Sequence, residues 1–121
     1  MGALLVRLND GRYGFWRLSY RLKLTWGRDV ALCQLDGRAG IDLYVVQGAR
    51  PTHQDLILLN SGNGKTFSLL PTPRISKGHG DFATCLPGQP RALGDAVVVT
   101  NNKLLPPYGS PGPNRLILVV P

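Results

Sequence analysis

Glutamate is absent: all seven acidic residues are Asp, against 14 Lys and Arg. Glu is a good helix former, whereas Asp, Gly and Pro belong to turns, and Gly and Pro together (15 and 10) fill 25 of the 121 positions. Long helices are therefore not expected. No run of like charge and no low-complexity tract occurs, and 43% of the residues are hydrophobic, which excludes a disordered chain. No apolar run approaches the length that would cross a bilayer as a helix. The first residues, Met-Gly-Ala-Leu-Leu-Val, lack the basic start and long apolar stretch of a secretory leader. An intracellular protein, or one carried in a virion, is the expectation.

Metal-binding and nucleophilic residues are equally scarce, with two His and two Cys. Structural zinc needs four ligands in paired short spacings, and catalytic zinc needs three. His79-x-Asp81-x-x-x-Cys85 matches neither, and His53 with Asp55 offers only two groups. A Cys nucleophile would need a base and an orienting group brought in by the fold. Cys33 and Cys85 allow at most one bridge, and each stands beside a Leu (Leu32, Leu86). Two small buried side chains are favoured over a disulfide or a reactive thiol. No catalytic residue, no metal and no cofactor is expected.

Period-2 patterning is abundant instead. From Trp16 to Trp26 every second residue is large and apolar (Trp16, Leu18, Tyr20, Leu22, Leu24, Trp26), with Arg17, Ser19, Arg21, Lys23 and Thr25 between them. In an extended chain this alternation sends the aromatics and leucines inward and the cations outward. The strand is expected to be central to the core. Leu4 to Leu8 forms a first strand that turns at Asn9-Asp10-Gly11, and strands are expected at 30–35, 41–46, 56–59 and 66–70. Residues 74–90 read as a long loop with one short strand, and 96–100 as a further strand. An extended Pro/Gly-rich crossing over 104–113 leads to a last strand or arm over 115–120. Together these imply one domain over 1–121: an all-β antiparallel sandwich or barrel, jelly-roll-like, with about eight strands and no substantial helix.

Asn60-Ser-Gly-Asn-Gly-Lys65-Thr66 resembles a phosphate-binding loop but has Leu59 where the first Gly belongs. It also has Pro71 where a helix should run, so a hairpin loop is expected. The net charge of +7 is spread along the chain and favours anionic partners without choosing among them. Arg7, Arg12, Arg17, Arg21, Lys23 and Lys65 are the candidate contacts to nucleic acid or another anion. Leu116, Ile117, Leu118, Val119 and Val120 form a candidate assembly arm, because a strand apolar on both faces must be covered on both. The expected function is non-enzymatic: a structural or assembly protein, for example a viral or phage particle subunit or capsid-stabilising protein, acting in a homo- or hetero-oligomer. A small basic β-barrel binding single-stranded nucleic acid is the alternative.

Overall fold

A computed structural model describes residues 2–9, 11–12, 14–15, 17–47, 54–70, 80–101 and 114–120. They form nine strands: β1 (Gly2–Leu8), β2 (Arg17–Leu24), β3 (Gly27–Cys33), β4 (Asp42–Gln47), β5 (Leu56–Asn60), β6 (Phe67–Leu70), β7 (Gly80–Leu86), β8 (Ala96–Asn101) and β9 (Arg115–Ile117). All pairings are antiparallel, in three sheets ordered β1-β2, β3-β4-β5-β6 and β7-β8-β9. The all-β expectation holds, and no helix occurs among the described residues. None is therefore long and apolar enough to cross a membrane.

The centre of the molecule is β4, buried at every position. Its alternate side chains enter two separate cores. Tyr44 and Val46 join Ala31, Cys33, Leu35, Ile57, Val97, Val99 and Ile117, between the four-stranded and three-stranded sheets. Leu43 and Val45 join Leu4, Leu24 and Leu58 beneath the β1-β2 hairpin. The four-stranded sheet is thus the middle layer of three. A strand dry on both faces must be apolar on both, which is why Leu43-Tyr-Val-Val46 runs unbroken instead of alternating.

Strand β2 lies in the outer hairpin, which corrects its expected place at the centre. Its facing is also not uniform. Leu22, Leu24 and Tyr20 turn inward, but Leu18 is 47% exposed and Trp26, beyond the strand end, 48%. For Leu18 the cause is a bulge: Val6 pairs with Tyr20 while the next residue, Arg7, pairs with Leu18, leaving Ser19 as the extra residue. One inserted residue inverts the phase of everything before it. Ser19 fixes the bulge by donating its hydroxyl to the Gly64 carbonyl at 2.7 Å, with the Val6 carbonyl at 3.2 Å.

Three further expectations change. Cys33 and Cys85 form a disulfide rather than two separate thiols, joining β3 to β7 with Cα atoms 5.6 Å apart. Residues 80–86, expected as mostly loop, make a seven-residue strand. The last strand spans only Arg115–Ile117 and pairs with β8, with Ile117 in the core and Val119 packed against it. Trp16, His53, His79 and the 104–113 crossing lie outside the described residues.

Leu58→Ala, at a position 1% exposed, is expected to cost about 2–5 kcal/mol, and Leu18→Ala less than about 0.5 kcal/mol. Urea denaturation of both variants checks this contrast, which inverts the ranking that strict alternation in β2 would give.

Candidate functional site

Two places bring polar chemistry together. One is buried. Tyr44 on β4 donates its hydroxyl to Asp55 Oδ2 at 2.7 Å, and the Gln47 backbone N–H donates to Asp55 Oδ1 at 2.9 Å. Arg115 of β9 places Nη2 3.9 Å from the same carboxylate. Gln47 extends the network: its side-chain amide donates to the Gln54 carbonyl at 2.8 Å, and its Oε1 accepts the Thr25 and Trp26 N–H groups.

Burial pushes the Asp55 carboxyl above its ordinary range, against the Tyr44 hydroxyl, the Gln47 N–H and the Arg115 charge, which all pull it down. Burial and then the neighbouring Asp55 push the Tyr44 hydroxyl up. Tyr44 and Asp55 are both wholly inaccessible, so no substrate atom reaches either, and the cluster serves as an anchor between β4, the start of β5 and β9. Asp42, also inaccessible, does similar work by accepting the Leu35, Asp36 and Asn60 N–H groups. Sequence patterning sets Asp55 beside His53 as too small a group for a metal and offers no motif that joins Asp55 to Tyr44. The only signal is an acid placed next to a strand that must be buried.

The other place is the solvent face of the β1-β2 hairpin. The register sets Leu5 opposite Arg21 and Ala3 opposite Lys23, and beyond the bulge Arg7 opposite Leu18. Arg7, Arg21 and Lys23 therefore share a face with Leu5 and Leu18. Arg17 pairs with Leu8 on the opposite face, so the expected row of Arg17, Arg21 and Lys23 is split. Arg12 is exposed in the turn after β1, where Gly11 N–H donates to Asn9 Oδ1. At the far end of β2, Trp26 and Arg28 wall a cleft with Gly2 and Gly27. The exposure of Trp26 departs from the expectation that the large aromatics of residues 16–26 face the core.

Lys65 is exposed on the β5-β6 loop, which touches the hairpin through Ser19 and Gly64. The loop is a self-contained turn. Asn60 Oδ1 accepts the Gly62 and Gly64 N–H groups, and Asn63 Oδ1 accepts those of Lys65 and Thr66. Amides that would cradle a phosphate are thus already engaged, which bears out the hairpin-loop reading. Of the arm residues, Leu116 and Val120 are exposed, Ile117 is buried, and Leu118 and Val119 are half-buried. Comparison with protein-family models, with curated proteins and with solved structures finds no match to this chain.

Because the folded chain holds the Asp55 proton that the unfolded chain gives up, the stability tied to that proton is complete below the ordinary carboxylate range. It is lost as pH rises through the raised Asp55 value. The stability of the wild type relative to Asp55→Asn is accordingly expected to be highest in acid and to fall as pH increases. Urea denaturation of both proteins across the acidic range measures it.

Proposed function

We propose that the protein is a non-enzymatic assembly subunit whose partner is a second copy, seated on the outer face of the β7-β8-β9 sheet. The observation that carries this reading is the composition of that face. Thr84 pairs with Val98 and Val98 with Leu116, flanked by Phe82 opposite Thr100 and by Leu86, and none of these residues is charged. Phe82 is 61% exposed and Leu116 48%. An uncharged sheet face of this kind is suited to packing against a like face from another subunit, as the two halves of a sandwich do. The disulfide fits an oxidising setting such as a particle surface. A viral or phage virion, where the subunit would serve in or stabilise the capsid, is the setting proposed by analogy with fold class.

Light scattering should give a mass at a multiple of 13.1 kDa for the wild type and the monomer mass for Phe82→Lys combined with Leu116→Lys. A monomeric wild type, or an unchanged multiple in the variant, overturns this reading.

A second reading has its own observation: Trp26 and Arg28 wall one cleft beyond the end of β2, a strand that carries Arg21 and Lys23 on the same face as Arg7 of β1. Cations beside an exposed ring are what single-stranded nucleic acid uses for phosphate and base contacts. Titration with a short oligothymidylate should quench Trp fluorescence, weaken steeply with salt, and lose about 1–3 kcal/mol in Trp26→Ala.

A further inference from the structure

The disulfide has a third group beside it. Sulfur atoms of Cys33 and Cys85 and a carboxylate oxygen of Asp95 lie within 4.8 Å of one another, although they come from the end of β3, from β7 and from the residue before β8. The topology explains the meeting. Cys85 pairs with Val97, which puts Asp95 diagonally across from Cys85 on the same face of the sheet. Asp95 is then locked to the residue after Cys33: its N–H donates to the Gln34 carbonyl at 2.5 Å, and its Oδ2 accepts the Gln34 N–H at 3.0 Å. The preceding Gly94 permits this approach, since a Cβ there would fall 2.0 Å from the Gln34 oxygen. The carboxylate is therefore held in place by backbone groups and not by the sulfurs.

We propose that reduction converts this cluster into a zinc site, with Cys33, Cys85 and Asp95 as ligands and water in the fourth position. The reductant is a dithiol: its two electrons and two protons cleave the S–S bond to two thiols, and it becomes a disulfide itself. Zn2+ then binds both sulfurs as thiolates and displaces their two protons. Tetrahedral zinc, with bonds of about 2.3 Å to sulfur and about 2.1 Å to oxygen, needs donors about 3.6–3.8 Å apart. The sulfurs, bonded to each other in the oxidised chain, must separate to reach that spacing, and the carboxylate oxygen already stands within 4.8 Å of both. Cys33 is buried while Cys85 and Asp95 are half-buried, so the site is sheltered on one side and open on the other to the ion and its water. Two thiolates with one carboxylate favour zinc over calcium or magnesium, which prefer oxygen alone. The three ligands belong to neither the outer face of the β7-β8-β9 sheet nor the β1-β2 hairpin, so the site can be tested apart from both.

The test uses the full chain reduced with a phosphine, and the metals alone as probes. Co2+ should give the near-ultraviolet thiolate charge-transfer absorption in the reduced protein and none in the oxidised one. Zinc competition against a chromogenic chelator should show one equivalent bound at least about 100-fold more tightly after reduction. Asp95→Asn retains an acceptor for the Gln34 N–H and should lose about tenfold or more in zinc affinity. Cys85→Ser should lose the charge-transfer band. Circular dichroism follows the fold throughout. A reduced, folded protein without the cobalt band overturns the proposal, as does an Asp95→Asn variant that binds zinc like the wild type. So does a reduced chain that unfolds and is not restored by zinc.

Discussion

A strand with no solvent on either side must be given two covers, and β4 imposes that demand on the whole chain. Its neighbours β3 and β5 extend the surface to be covered, and a row of four leucines, Leu32, Leu43, Leu58 and Leu69, crosses the middle sheet in register. The β1-β2 hairpin buries the two at the centre and leaves the two on the edge strands exposed. On the opposite face Tyr44 and Val46 meet β8 and β9. The layers are therefore not equivalent. One is the substrate on which the other two are built.

Burying β4 carries a polar cost, because its tyrosine hydroxyl, its terminal Asp42 and the backbone at Gln47 all leave water. Each is met by a specific partner, with Asp55 serving both Tyr44 and Gln47. A carboxylate with no access to solvent is an expensive partner, and its raised proton affinity expresses that expense. The compensation is directional. Hydrophobic cover is non-directional, whereas the approach of Arg115 Nη2 to within 3.9 Å of Asp55 favours one register of β9 on β8.

Much of the strand pattern was legible because turn chemistry is local. Asn9 and Gly11 after β1, Asp36-Gly37 after β3 and the Asn60–Thr66 loop mark their turns by composition alone. The rank of the strands was not legible. Perfect alternation in residues 16–26 is the stronger signal to the eye, yet it describes a strand with one wet face; the unbroken run in β4 is what marks a centre. The bulge at Ser19 was invisible, since Ser on an alternating strand sits where a polar residue belongs, and only the Gly64 carbonyl, 45 residues away, gives it a reason to bulge. The pairing of Cys33 with Cys85, and the arrival of Asp95 beside them, depend on β3 lying along β7, a relation between two sheets that no window of sequence contains. The cationic face was half legible: Arg21 and Lys23 do share a face, as their spacing implies, but the bulge puts Arg17 on the other one.

The disulfide also determines how the chain bears load. It closes a covalent ring from residue 33 to residue 85, a separation of 52, and β4, β5 and β6 lie entirely inside that ring. Tension applied to the two ends of the polypeptide passes from Cys33 to Cys85 through the bond and bypasses everything between. The hairpin and the β8-β9 pair can be peeled away, while the middle strands feel no pull along the backbone. The most deeply buried part of the molecule is thus mechanically isolated from its termini.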